Sequence, residues 1–169
     1  MGGIMPHHSL LLFLAILVHW PWRGLVQEVK WPRHTVCSMD KLQIFYQSCD
    51  PLQDIGLSVS PCPETLRTTR IETKLKVTLL LWQSIEDLYM SVNLFPEGGG
   101  TFHFDESLCL PDYPRFTFCN RKKGELIAVD TQLKLNILKY LPNHINAHAV
   151  LVNQNGYRIA CFNMTLMTA

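Results

Sequence analysis

The sequence predicts an all-β protein, an antiparallel β-sandwich, because two patterns recur along most of its 169 residues. Short runs alternate apolar and polar residues with a period of two, which is typical of strands buried on one face. Turn-forming residues separate these runs, and no segment keeps a 3.6-residue period. Hydrophobic residues make up 47% of the chain and charged residues 17%. This composition excludes a disordered chain and suits one domain with a core.

Each alternating run turns one face of its strand toward the interior. In chain order, the apolar residues that mark these runs are Leu42, Ile44 and Tyr46; Ile55, Leu57 and Val59; Leu75, Val77, Leu79 and Leu81; Leu88, Met90, Val92 and Leu94; Leu133, Leu135 and Ile137; Ala149 to Val152; and Ala160, Phe162, Met164 and Leu166. The aromatic residues that share this inward parity are Phe102, Phe104, Phe116, Phe118, Tyr140 and Phe162.

Glycine, proline, asparagine and aspartate mark the turns between the runs. The turn signals are Asp50-Pro51, Pro61-Cys62-Pro63, Glu97 to Gly100, Pro111 to Pro114, Lys123-Gly124, Leu141-Pro142-Asn143 and Asn155-Gly156. Asn155-Gly156 favours a type I′ hairpin. The glycines at 98 to 100 are interpreted as a hairpin turn, because no Lys-Ser or Lys-Thr pair follows them as in a phosphate-binding loop.

The N-terminus contains an uncharged apolar run from Leu10 to Val18. A membrane-spanning helix needs roughly 20 apolar residues, whereas this shorter run fits the apolar part of a secretory signal. Pro21 and Trp22 end the run at once, which argues against a core helix. We therefore predict a signal peptide over residues 1–24, cleaved between 24 and 31, and one mature domain over 25–169. Without Arg23 the mature chain has equal numbers of acidic and basic residues, so no general basic field favours nucleic acid.

All six cysteines lie in the predicted mature domain. An even number of cysteines behind a signal peptide predicts three disulfides, although the pairing stays open at this point. The metal alternative is weak, because no C-x-x-C motif occurs and His144 and His148 have no upstream ligand pair.

A sequon at Asn163 predicts N-glycosylation. If Met164 and its alternating neighbours face inward, Asn163 faces solvent, where a glycan fits.

Catalysis finds little support, because no nucleophile-elbow, Walker or zinc-protease motif is present. His103, Asp105 and Glu106 are interpreted as a solvated hairpin end. The basic triplet from Arg121 to Lys123 is too short for a nuclear signal in a secreted chain. The alternation of the two phenylalanines before it predicts a hairpin with the cations at its tip.

The composition leaves two interpretations of the strongly apolar interior open: a filled core or an apolar cavity.

Three segments resemble the ML lipid-recognition family. They are WPxxxVC at Trp31 to Cys37, YQSCDPLQDIGLSV at Tyr46 to Val59, and FxFCxRxKGE at Phe116 to Glu125. The resemblance runs from Trp31 to the C-terminus. It implies an immunoglobulin-like antiparallel β-sandwich with an apolar lipid pocket between two splayed sheets. It also implies the disulfide pairs Cys37–Cys62, Cys49–Cys161 and Cys109–Cys119.

The resemblance further implies which residues line the pocket and its rim. The implied lining residues are Ile44, Leu57, Val59, Val77, Ile85, Leu88, Val92, Phe118, Ile127, Leu133, Leu135, Tyr140, Met164 and Leu166. Arg121, Lys122 and Lys123 are implied to lie at the pocket mouth, where they contact a lipid headgroup, a receptor or only water. The endotoxin-binding co-receptor of the same family has phenylalanines in place of Leu133, Leu135, Tyr140 and Ala160, so the pocket shape differs here.

The implied function is that of a secreted, non-enzymatic, lipid-binding accessory subunit without a cofactor. Its ligand is an acyl lipid such as lipid A or phospholipid. Its partner is the leucine-rich-repeat ectodomain of the radioprotective Toll-like receptor homologue, which would hold it at the cell surface. Together they would modulate innate immune responses to bacterial lipopolysaccharide. Two alternatives stay open: a filled-core module that stabilises the receptor without lipid, and a soluble lipid-transfer carrier.

Overall fold

The computed structural model describes residues 30–64, 71–113, 116–135 and 142–169. These residues form nine strands and no helix. The strands are β1 (His34–Met39), β2 (Leu42–Ser48), β3 (Gly56–Ser60), β4 (Ile71–Leu80), β5 (Leu88–Pro96), β6 (Phe102–Cys109), β7 (Leu126–Leu135), β8 (His144–Asn153) and β9 (Arg158–Thr168). The predictions that lie outside the described residues concern the signal peptide, Ile137, Tyr140, the turn at Leu141, the turn end at Pro114, and the side chains of Leu133 and Leu135.

The strands form two antiparallel sheets. The large sheet has six strands in the order β1-β2-β9-β8-β5-β6, and the small sheet has three in the order β3-β4-β7. The predicted all-β antiparallel sandwich is therefore confirmed. No helix in the described part of the chain is long and apolar enough to cross a membrane.

Strand register places the alternating apolar residues side by side on the inner face of the large sheet. One row runs from Tyr46 through Met164, Ala147 and Leu94 to Phe102, one residue from each of β2, β9, β8, β5 and β6. Directly opposed residues of neighbouring strands share a face. The rows therefore define which side chains point toward the small sheet.

The core is densest at one end of the sandwich. Leu79 of β4 and Ile127 of β7 pack there with Leu88 of β5, and all three are buried. Leu81 and Ile85, from the connection between β4 and β5, are each 1% exposed. Burying such side chains contributes about 1.5–3 kcal/mol each, so this end fixes how the two sheets meet.

Three disulfides connect the sheets and loops, and they are the pairs that the family resemblance implies. They are Cys37–Cys62, Cys49–Cys161 and Cys109–Cys119. The first ties β1 to the segment after β3, which belongs to the other sheet. The second joins the end of β2 to β9, and the third joins the end of β6 to the turn before β7.

The β8–β9 hairpin lies where the sequence predicts it, but the predicted type I′ turn is wrong. A type I′ turn needs positive φ at both central residues, and among the described non-glycine residues only Asn120 has one. Gly156 has φ 76°, and its N–H donates to the Asn153 carbonyl at 2.9 Å. Asn153 Oδ1 also accepts from the N–H groups of Asn155 (3.1 Å) and Tyr157 (3.0 Å). These bonds favour a longer loop with a single left-handed glycine.

The prediction that Phe116 and Phe118 alternate inward on a strand is wrong. Residues 117–120 form a turn, with the Cys119 N–H donating to the Phe116 carbonyl at 3.1 Å. The Cys109–Cys119 bond spans only 10 residues, so the chain must fold back before Cys119. The two rings stack at 5.0 Å between centroids, with Phe116 exposed and Phe118 partly buried against the core.

Candidate functional site

Much of the inner face of both sheets is only half-buried. The half-buried apolar side chains on this face are Ile44, Leu57, Val59, Leu75, Val77, Met90, Leu94, Val129, Ala147, Leu151, Phe162, Met164 and Leu166. A closed sandwich packs such side chains against each other across about 10 Å. Here solvent still reaches them, so the described side chains leave part of the space between the sheets unfilled.

The edge strand β6 exposes the apolar face most fully. Phe104 is directly opposite Val92, and Phe102 is directly opposite Leu94, so both phenylalanines share the inner face. Phe102 is nevertheless 61% exposed and Phe104 44%. Their predicted parity is right, but the prediction that they lie in the interior is wrong, because a three-stranded sheet is too narrow to cover six strands. The apolar space therefore opens toward solvent along β6.

Arg121 to Lys123 follow the turn that the Cys109–Cys119 disulfide ties to the end of β6, and their predicted place at a hairpin tip is wrong. The residues directly before them, 117–120, form a turn rather than a strand, and the backbone of the basic segment pairs with the β4–β5 connection. The Ile85 N–H donates to the Arg121 carbonyl at 2.9 Å, and the Gly124 N–H donates to the Leu81 carbonyl at 2.7 Å. Lys122 forms an exposed ion pair with Glu86 at 3.6 Å. The basic segment thus lies against the connection that carries the buried Leu81 and Ile85.

A polar network joins the two sheets where β2 meets the start of β3, and we call this junction the seam. The Tyr46 hydroxyl donates to the Ile55 carbonyl at 2.7 Å and accepts from the Leu57 N–H at 3.1 Å. His34 stacks on Tyr46, and its Nε2–H donates to Asp54 at 2.7 Å. Burial raises the pKa of Tyr46; the Leu57 hydrogen bond lowers it and the Asp54 charge raises it further. This network holds the first strands of the two sheets together.

The seam also contains an open groove of about 600 Å³. Its walls include His34, Asp54, Ser58 and Lys76. Apolar side chains such as Ile55 and Leu57 line it too, but charged and hydroxyl groups share its walls. The half-buried inner face of the sheets therefore accommodates an acyl chain better.

One group of candidate metal ligands comes together in the structure, but its chemistry does not suit a metal ion. Atoms of Cys49, His148 and Cys161 lie within 4.8 Å of one another. The two cysteines are joined as a disulfide, so they offer no thiolate, which is the form that binds zinc. His148 instead hydrogen-bonds Asn163 at 2.8 Å. Asn163 is exposed on the outer face of β9, as the alternation predicts.

Comparison with known proteins identifies the family. The chain is 32% identical to mouse lymphocyte antigen 86 over 142 residues, which cover 84% of this chain and 86% of that relative. It is 33% identical to the chicken protein over 139 residues (82% and 85%) and 31% identical to the human protein over 163 residues (96% and 99%). The chain belongs to the lymphocyte antigen 86 family. This membership agrees with the expectation that it is not an enzyme.

A solved structure supports the fold of this lymphocyte antigen 86 family member. Chicken MD-1, crystallised in complex with lipid IVa, superposes with a TM-score of 0.72 at 33% identity. The match covers 82% of this chain and 98% of that chain. No family model matches the sequence.

The implied lining residues of this family member whose side chains the structure describes fall into two groups, and Leu133, Leu135 and Tyr140 belong to neither. Ile85, Leu88, Val92 and Ile127 are buried. The half-buried group comprises Ile44, Leu57, Val59, Val77, Phe118, Met164 and Leu166. The structure therefore buries the first group in the closed core. The second group, apart from Phe118 in the turn before β7, lies on the inner face with its side chains partly exposed.

Several residues on the inner face of this lymphocyte antigen 86 family member were not predicted from the sequence to line the pocket. They are Met90, Leu94, Phe102, Phe104, Ala147, Leu151 and Phe162. The alternation of apolar and polar residues along β5 and β6 could have identified them, because an inward position on one strand lies opposite an inward position on its neighbour. Only the strand order reveals that β6 is an uncovered edge.

Proposed function

We propose that this member of the lymphocyte antigen 86 family is a secreted, non-enzymatic, lipid-binding accessory subunit. Its partner would be a leucine-rich-repeat Toll-like receptor homologue, and together they would modulate innate immune responses to bacterial lipopolysaccharide. The observation that carries the proposal is the half-buried apolar face that opens at Phe102 and Phe104. The complex of chicken MD-1 with lipid IVa supports it, since that protein shares 33% identity with this chain.

The chemistry of the inner face suits acyl chains. Each methylene that moves from water to an apolar environment contributes about 0.8 kcal/mol, so a long chain gains much by entering. Aliphatic side chains such as Met164 and Leu94 offer no directional groups, so the face selects for apolar length rather than for a particular headgroup. The ligand class is therefore an acyl lipid, such as lipid A or a phospholipid, and no cofactor is needed.

Secretion is part of the proposal. Removal of residues 1–24 would release a domain whose cysteines form three disulfides, a state that suits oxidising compartments. The exposed Asn163 would then carry an N-glycan on the face opposite the apolar space. The receptor would hold the secreted domain at the cell surface.

The experiment is native mass spectrometry of the full-length chain expressed in mammalian cells and purified from the medium. The spectrum is recorded before and after extraction with organic solvent. We expect a mass excess that corresponds to acyl lipid, that is lost on extraction, and that returns on incubation with lipid A or phospholipid. A protein that has its bare mass before extraction, and that takes up neither lipid, would contradict the proposal.

A further inference from the structure

The outer face of the small sheet ends in an exposed apolar patch, which we call the Trp82 patch. It consists of Leu80, Trp82 and Leu126, which are 46%, 54% and 69% exposed. Leu80 and Leu126 are direct partners across β4 and β7. Leu79, the neighbour of Leu80, is buried on the inner face, so the patch points away from the apolar space between the sheets.

The patch has a rigid base. Leu81 and Ile85, on either side of Trp82 in the chain, are each 1% exposed. Backbone bonds extend the β4–β7 ladder past the last strand residue, since the Leu81 N–H donates to the Glu125 carbonyl at 2.9 Å. A fixed backbone lowers the entropy that a partner must overcome, so these side chains are preorganised for contact.

The basic segment borders the patch. Arg121 pairs with Glu125 at 3.3 Å and Lys122 with Glu86 at 3.6 Å. The Lys123 N–H donates to Ser84 at 3.1 Å, and among the described residues no carboxylate pairs with its side chain. The border therefore carries three cations and two carboxylates, a net charge of one positive unit beside an apolar centre.

This arrangement fits a protein surface better than a membrane. Tryptophan and arginine are enriched at the energetic centres of protein interfaces, and an apolar centre inside a charged rim is the usual anatomy. Attraction to an anionic bilayer contributes about 1 kcal/mol per basic residue near the surface, so stable attachment needs a cluster of unpaired cations. Here two of the three cations already have carboxylate partners.

We propose that the Trp82 patch is the contact surface for a second protein, whose matching surface has an apolar site bordered by carboxylates. The inference deepens the proposed function and rests on it, because the partner used as a probe is the receptor ectodomain. It assigns the two exposed apolar regions to different ligands. Phe104 and its inner face serve the lipid, and Trp82 and Leu126 serve the protein partner.

The test compares secreted variants by surface plasmon resonance on the immobilised receptor ectodomain and by native mass spectrometry of bound lipid. The variants are Trp82→Ser, Leu126→Ser and Lys123→Glu. The matched control is Tyr157→Ser in the β8–β9 loop, because Tyr157 is also 54% exposed. Thermal unfolding checks that each variant is folded, which is expected because every changed side chain is exposed.

We expect Trp82→Ser to weaken ectodomain binding by about 30-fold, the loss typical of a central interface residue. Leu126→Ser should weaken binding severalfold. Lys123→Glu should slow association, more strongly at low salt, because a rim charge acts mainly on the encounter rate. The control should bind like the wild type, and the lipid load should be the same in all variants.

Three outcomes would overturn the inference. Wild-type affinity in both Trp82→Ser and Leu126→Ser overturns it alone and leaves the proposed function intact. A wild-type chain that does not bind the ectodomain overturns both the inference and the receptor part of the proposed function. Binding to vesicles of phosphatidylserine and phosphatidylcholine that depends on Trp82, with ectodomain binding unchanged, would assign the patch to a lipid surface instead.

Discussion

Val92 and Phe104 lie directly opposite each other across β5 and β6, yet Val92 is 8% exposed and Phe104 is 44% exposed. In this row of the inner face, burial therefore ends between β5 and β6. A phenylalanine left in solvent on the same face as the core is unfavourable unless something apolar covers it. We propose that this cover is the acyl chain of a bound lipid.

Replacing Phe104 with aspartate should weaken lipid binding by about tenfold or more. Lost burial of a phenylalanine costs about 1.5–3 kcal/mol, and about 1.4 kcal/mol corresponds to tenfold in affinity. The measurement is the displacement of a fluorescent fatty acid. The control is Phe95→Asp, because Phe95 is 45% exposed and lies next to Leu94 on the opposite face of β5. Equal affinities in the two variants would exclude Phe104 from the lipid site.

Replacing Tyr46 with phenylalanine should destabilise the fold by about 1–3 kcal/mol. The change leaves the Ile55 carbonyl and the Leu57 N–H without the hydroxyl that now satisfies both, and each is a backbone group near the buried core. Urea unfolding measures the difference. Tyr157→Phe in an exposed loop serves as the control and should change stability by less than about 0.5 kcal/mol. A Tyr46 variant as stable as the control would show that the network does not hold the seam.

The pH dependence of stability should contain a contribution from the same tyrosine. Burial raises the pKa of Tyr46 above its ordinary value of about 10, so the folded chain holds this proton more tightly than the unfolded chain. The contribution is fully present below about pH 10 and is lost as the pH rises through the folded-state pKa. We expect the difference in unfolding free energy between wild type and Tyr46→Phe to shrink above about pH 10. A difference that stays constant from pH 8 to pH 11 would contradict this assignment.

The three disulfides should differ in their contribution to stability. Cys49–Cys161 closes a loop of 112 residues and Cys109–Cys119 one of 10. Chain-entropy estimates give about 5 kcal/mol for the longer loop and about 3 kcal/mol for the shorter one. Replacing both cysteines of each pair by alanine should therefore lower the unfolding free energy more for Cys49 and Cys161. The opposite order in denaturant unfolding would show that native packing outweighs loop closure.

The strands could be predicted from the sequence because a period of two is a local property. Leu88 to Leu94 and Ala160 to Leu166 alternate as expected, and their inward positions are those of the structure. The exposed position of Asn163 follows from the same period. The pairing of Ile44 with Leu166 joins residues at opposite ends of the chain, and no local pattern indicates it.

The wrong predictions arise where burial or backbone direction depends on distant parts of the chain. Phe102 faces inward as predicted, but its side chain is exposed because the three-stranded sheet does not extend across β6. Phe116 and Phe118 alternate over only three residues, which the short disulfide loop bends into a turn. Lining residues of the closed and open regions look alike in sequence, because leucine and valine serve both a packed core and a lipid surface.

The most direct test of the central claim is a crystal structure of the secreted protein, purified from cells without added lipid. We expect elongated electron density between the sheets, in contact with Met164 and Leu94 and continuing past Phe104 at the β6 edge. Sheets that pack together with their own side chains filling the interior, and no such density between them, would contradict the account.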